Sequence, residues 1–174
     1  TYSAANGLAA DRVQAIAGDT QQRIWFGTTG GLSIWNGESF FTLTRADRLP
    51  SDNILALQAD GETMWIGSDA GLLRFADNQF QIYTTATTPL AGNRITAFAK
   101  VANGALFIGT DQGLSRQVAN EMSVIPEVKG YAVSAIAVTD HDLLWLGTNG
   151  QGLHYFDGKT WHEPPQAVSP PAQS

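Results

Sequence analysis

The stretch Met64-Trp65-Ile66-Gly67-Ser68-Asp69-Ala70-Gly71-Leu72 decides how this chain folds, because its pattern occurs four times. The other copies are Trp25-Phe26-Gly27-Thr28, Phe107-Ile108-Gly109-Thr110 and Trp145-Leu146-Gly147-Thr148, each followed within five residues by Gly-Leu. The four box glycines fall 40, 42 and 38 residues apart. A period near 40, carried by aromatic and β-branched runs, marks a repeat architecture whose unit is one small antiparallel sheet.

Working outward from the boxes, one template fits all four units. An alternating β-run precedes each box, starting at Val13, Ile54, Ile95 and Val133, with a small residue at its third position (Ala15, Ala56, Ala97, Ala135). Small side chains there predict a crowded inner strand near a common axis. Turns rich in Asp, Asn and Gly follow, at Asp19-Thr20, Asp60-Gly61, Asn103-Gly104 and Asp140-His141-Asp142. The box is then a second strand, apolar on both faces as in a sheet packed between two others, and its glycine lets neighbouring backbone approach. A third strand begins at Gly-Leu, and a fourth follows Asn36-Gly37, Asp77-Asn78 or Asp157-Gly158; in unit 3, Val118-Ala119-Asn120-Glu121 is a weaker hairpin signal.

The reading is therefore all-β: a β-propeller of four-stranded antiparallel blades, four in this chain. The blades are expected at about 11–44, 52–85, 93–126 and 131–163. Residues 1–8 read as a stray outer strand, because Thr1-Tyr2 through Gly7-Leu8 match the residues that precede the second unit. Unit 4 already has an outer strand of its own in Thr160-Trp161-His162-Glu163, so either unit 4 carries a surplus strand, or the chain is cut from a larger ring, or two chains close one ring of eight blades.

Composition narrows the function classes. The chain has 174 residues, 43% of them hydrophobic and 15% charged, with a formal net charge of -6. Acidity argues against nucleic acid, which requires a basic stripe. No run approaches the ~18 apolar residues of a membrane span, so this segment is expected to make no membrane contact. The absence of cysteine removes disulfides and thiolate metal sites. Starting at Thr1, the chain reads as processed or as part of something longer. Residues 164–174, with Pro164-Pro165 and Pro170-Pro171, read as a linker or disordered tail.

Blocks such as Leu49-Pro50-Ser51-Asp52-Asn53-Ile54 followed by Met64-Trp65-Ile66-Gly67-Ser68 resemble the two-component regulator propeller repeat of bacterial sensor proteins. The resemblance covers residues 1 to about 163. It implies a periplasmic or extracellular propeller joined to signalling domains of a longer parent chain, with a saccharide among the ligands such proteins sense. Family propellers usually carry more than four blades.

The repeated residues Trp25, Gly27, Trp65, Gly67, Phe107, Gly109, Trp145 and Gly147 read as structural, since what every blade repeats builds the blade. Function is expected where blades differ, on the face made by loops entering the inner strand and loops joining strands two and three. The ligand-binding candidates there are Arg12, Asn53, Asp69, Asn93, Arg94, Asp111, Tyr131 and Asn149. Hydroxyl, amide, carboxylate and guanidinium groups around one aromatic suit a polyhydroxylated ligand. The plainer account is that Asp and Asn cap turns and that the arginines pair with Asp11, Asp52 or Asp69.

No cofactor and no metal is expected. Among the histidines, His141 sits in an inner turn, while His154 and His162 share the last outer hairpin, where they face each other across a three-residue loop, or His154 faces Trp161 across a two-residue loop. Neither arrangement supplies a third ligand. The chain is thus read as a non-catalytic sensory propeller binding a saccharide or other polar small molecule. Alternatives are a protein-interaction scaffold using Trp35, Tyr155 and Trp161, or a glycoside hydrolase or lyase using Asp69 and Asp111.

Overall fold

The computed structural model describes residues 1–139 and 143–163. His141 and the 164–174 tail lie outside the described residues. Blade 1 comprises β1 (Val13–Gly18), β2 (Ile24–Thr28), β3 (Gly31–Trp35) and β4 (Phe40–Leu43). Blade 2 holds β5 (Ile54–Asp60), β6 (Thr63–Ser68), β7 (Leu72–Ala76) and β8 (Gln79–Tyr83). Blade 3 holds β9 (Ile95–Lys100), β10 (Leu106–Thr110), β11 (Gly113–Val118) and β12 (Glu121–Ile125). Blade 4 holds β13 (Val133–Val138), β14 (Leu144–Thr148), β15 (Leu153–Phe156) and β16 (Trp161–His162). Each sheet is an antiparallel meander in chain order, and inner strands adjoin in sequence: β1 on β5, β5 on β9, β9 on β13.

The box explains both the blade and the seam between blades. Its hydroxyl closes the turn between the second and third strands: Thr28, Ser68, Thr110 and Thr148 donate from Oγ to the carbonyls of Gly31, Gly71, Gly113 and Gly152, at 2.7–2.9 Å. Its glycine receives the next blade. A Cβ on Gly27 would lie 2.7 Å from Ile54 Cγ2, one on Gly67 2.7 Å from Ile95 Cγ2, and one on Gly109 2.7 Å from Val133 Cγ1. The close approach expected of these glycines is thus to a β-branched side chain at the start of the following inner strand. Around each such contact lies an apolar cluster, with Trp25, Trp65 and Phe107 buried in the three seams.

Every inner strand is bulged just after its first residue. Pairing skips between Val13 and Ala15, between Ile54 and Ala56, opposite Gly109 and Thr110 in blade 3, and between Val133 and Ala135. The residues left out of register are Gln14, Leu55, Thr96 and Ser134. A bulge re-aims a side chain that strict alternation would have turned onto the sheet face.

The connectors correct one expectation. Residues 1–8 form no strand; Ala4–Asn6 is a 3-10 turn, the counterpart of Arg45–Asp47 before blade 2. The cause is an acceptor at the head of each of the first three inner strands. Asp11 Oδ1 accepts from the Ala4 N–H (2.7 Å), Asp52 Oδ1 from the Arg45 N–H (2.6 Å) and Asn93 Oδ1 from the Thr85 N–H (2.8 Å), folding each approaching segment into a turn. The equivalence read between residues 1–8 and the segment before unit 2 therefore belongs to a connector, not to an outer strand.

Outer hairpins vary as their turn residues dictate. Asp77 and Asn78 take φ of 52° and 57°, the two-residue turn suited to strand twist, and Ala119 takes φ 50° in the corresponding turn of blade 3, where Val118 pairs with Glu121. In blade 4 the loop is four residues, 157–160, because Asp157 Oδ1 accepts from the N–H groups of both Lys159 and Thr160 at 2.8 Å. Tyr155 consequently pairs with His162, and Phe156 with Trp161. Both shorter loops expected from the sequence are thereby corrected. His154 instead lies under the ring of Tyr131, with its Nε2 2.8 Å from the Gln151 carbonyl.

Candidate functional site

In each blade the loop entering the inner strand is tied to the loop between the second and third strands. The carbonyls of Arg12, Asn53, Arg94 and Ala132 accept from the N–H groups of Thr29, Asp69, Asp111 and Asn149, at 2.8–3.3 Å. These ties bring the two expected loop sets together on one end of the strands. Where blades 2, 3 and 4 meet there, Leu55, Arg94, Thr96, Asp111, Ser134 and Asn149 line a mouth of about 240 Å³. Three of the eight sequence candidates are in it.

The side chains at the mouth differ in how far they are already engaged. Thr96 Oγ1 donates to the Val133 carbonyl (2.6 Å) and Ser134 Oγ to that of Gly147 (3.1 Å). Gln14, the equivalent bulge residue of blade 1, reaches across to Asn53 Oδ1 (2.7 Å) and the Ile54 carbonyl (2.9 Å). By contrast, the side chains of Arg94, Asp111 and Asn149 form no hydrogen bond among the described residues. Polar groups left unpaired at a concave surface are available to a ligand.

Behind the mouth, Asn53 and Asp69 form a supporting pair, with Asn53 Nδ2 donating to Asp69 Oδ2 at 2.9 Å. Partial burial works against ionisation of Asp69, but the Ser51 hydroxyl, the Asn53 amide and the Arg94 charge outweigh it and hold the carboxyl below its ordinary range. Asp69 is therefore an anion at neutral pH, held in place by Asn53. It has no proton to give a leaving group, which weighs against its use as a general acid.

The remaining candidates sit elsewhere. Asn93 is occupied with the connector at Thr85. Tyr131 packs against His154, ring centroids 4.8 Å apart, at the edge of the core between blades 3 and 4. Arg12 is exposed at the head of β1. Sequence reasoning missed Leu55, Thr96 and Ser134, since alternation counts them as ordinary strand residues; the small residue after each bulge is the one available signal.

A larger groove of about 630 Å³ lies between blades 2 and 3, lined by Asp60, Trp65, Arg74, Tyr83, Gln117 and Asn120 among others. Its polar groups are largely paired with one another or their neighbours: Asp60 with Lys100, Tyr83 Oη with Gln81 Oε1 (2.7 Å) and Arg74 Nη2 with Thr63 Oγ1 (3.5 Å). Among the described residues no group of three or more His, Asp or Glu side chains could hold a metal, and no helix is long and apolar enough to cross a membrane.

Residues 7–30, the segment that leads into the first box and through it, match the family model for the two component regulator propeller. That match covers one repeat out of the four that the boxes mark. No curated protein matches it. Among solved structures, it is similar to a protein described as the extracellular domain of a hybrid two component system of B. thetaiotaomicron, with a TM-score of 0.79 and 20% identity over 90% of this chain and 23% of that one. It is also similar to virginiamycin B lyase from Staphylococcus aureus (TM-score 0.65, 14% identity, 84% of this chain and 53% of that one). A third likeness is to the computationally designed Ika4 protein (TM-score 0.62, 16% identity, 83% and 89%). At these identities the likeness is one of fold. The chain spans about a quarter of the length of the sensor domain it matches.

Proposed function

We propose that this chain is the ligand-binding part of a non-catalytic sensory propeller that works outside the cytoplasm and passes its signal to further domains of a longer protein. The repeat and its likeness to an extracellular sensor domain support a sensory or signalling role. The ligand is a saccharide or a similar polar small molecule held at the mouth between blades 2, 3 and 4. One observation carries this reading: Arg94, Asp111 and Asn149, three side chains without internal hydrogen bonds, converge on one concave site of about 240 Å³. A guanidinium, a carboxylate and an amide together offer donors and acceptors to adjacent hydroxyls, and Leu55 offers an apolar wall. A mouth of this size holds one small ring.

Titration calorimetry against a panel of neutral and acidic monosaccharides tests the reading. Binding is expected to weaken at least about tenfold in Arg94→Ala and in Asp111→Asn, while Lys159→Ala, in the exposed outer turn of blade 4, leaves it unchanged. Binding that survives both mouth substitutions, or turnover of the bound sugar, would overturn the assignment.

A further inference from the structure

The three seams between blades share one construction, and the chain carries both halves of a fourth. In each seam a β-branched residue at the head of an inner strand enters the space left by the box glycine of the preceding blade: Ile54 at Gly27, Ile95 at Gly67 and Val133 at Gly109. The three inserted residues are almost fully buried. The same position in blade 1 is Val13, which is 36% exposed, with Ile16 beside it on β1 at 64%. The same glycine in blade 4 is Gly147, where a Cβ would meet nothing nearer than 3.6 Å, and then only atoms of its own blade. Next to it, Leu153 is 44% exposed, whereas its counterparts Leu32, Leu72 and Leu114 are fully buried.

We propose that these two faces join between two copies of this chain, Val13 of each entering the Gly147 site of the other, so that a pair closes one ring of eight blades. The interface continues an established one, since the same side chains in the same register already make three seams within each copy. It is heterologous, one face meeting a different face, and two such contacts related by a two-fold axis close without leaving an edge. Closure covers Val13, Ile16, Leu153 and Trp145 at once, and removes the exposed apolar faces that a four-blade arc leaves open. It also extends the set of tied loops around the whole ring, bringing Arg12 of one copy next to Asn149 of the other.

Solution mass by light scattering or sedimentation equilibrium tests the pairing. The intact chain is expected at twice 18.6 kDa. Val13→Asp and Gly147→Leu are each expected to give the single-chain mass with an unchanged far-ultraviolet circular dichroism spectrum, which separates lost pairing from lost folding. An equimolar mixture of the two variants then discriminates further. Each retains the half that the other lacks, so a heterologous seam recovers dimers across one contact, weaker than the native pair by about tenfold or more. A single-chain mass for the unmodified protein would overturn the proposal. So would a dimer that persists in both variants, or one that is lost when the chain is shortened to end at Glu163, which would assign the faces to the tail.

Discussion

Gly67 and Gly147 occupy the same place in the same four-residue box, yet one is closed off by the next blade and the other is open. At Gly67 the neighbouring blade fills the space that a side chain would need, whereas at Gly147 the nearest atoms belong to its own sheet. The flanking aromatics differ in step: Trp65 is 3% exposed, and Trp145 is half-buried in a stack with Tyr155 and His162. Local sequence is nearly the same in both places, so the difference comes from what stands beside the blade. A motif that looks structural in every copy is structural only where it has a neighbour.

The largest expected effect breaks that comparison directly. Gly67→Val places a branched side chain against Ile95 and is expected to cost about 3 kcal/mol of folding stability. Gly147→Val is expected to cost less than about 0.5 kcal/mol in the single chain, because a β-branched residue suits an uncrowded strand. Urea unfolding at a concentration where both variants are monomeric measures the two side by side. Equal losses would mean that blade 4 is packed as tightly as blade 2.

A second pair sharpens the comparison within the buried boxes. Trp25 Nε1 donates to Asp19 Oδ2 at 2.7 Å, where Arg23 Nε also donates at 2.6 Å, whereas the buried Trp65 Nε1 has no partner. Trp25→Phe is therefore expected to destabilise by about 1 kcal/mol more than Trp65→Phe, which deletes an unsatisfied donor. Acid unfolding gives the same answer by another route. Burial opposes ionisation of Asp19, but Trp25, Arg23 and the Arg23 backbone N–H prevail and hold its carboxyl below the ordinary range. The stabilisation from a depressed carboxyl is fully present above the unfolded carboxylate value of about 3.9 and is lost as pH falls through the folded one. Asp19→Asn should flatten that acid limb, and Trp65→Phe should leave it unchanged.

The smallest effect concerns the outer turns. Ala119 holds a left-handed backbone conformation without being glycine, at φ 50°, so Ala119→Gly is expected to raise stability by about 0.5–1 kcal/mol, read as a small increase in Tm. The same change at Ala70, a residue outside the left-handed set, should lower it slightly. A gain at both would place the effect elsewhere than in the turn.

Much of the fold was legible because it depends on local chemistry repeated four times. The turn residues after each inner strand, the box hydroxyls and the Gly-Leu starts recur in register, and together they fix strands, hairpins and blade number. The candidate site was only partly legible. Arg94, Asp111 and Asn149 were found from the loops in which they lie, but Thr96 and Ser134 were not, because a one-residue bulge leaves no mark in an alternating pattern. Asn93 and Tyr131 read as equivalents of their loop neighbours, while the structure turns one toward its own connector and the other against His154.

The sequence by itself determined that this is a propeller of four-stranded blades, since period, alternation and turn chemistry are properties of short stretches. Only the tertiary structure decided which copies of the box are filled, which polar loops converge on the mouth, and that the first residues form a connector. Those outcomes depend on distances between segments some 40 residues apart in the chain. Such distances are set by how one blade's side chains fit the gap in the next, and no single repeat carries that information.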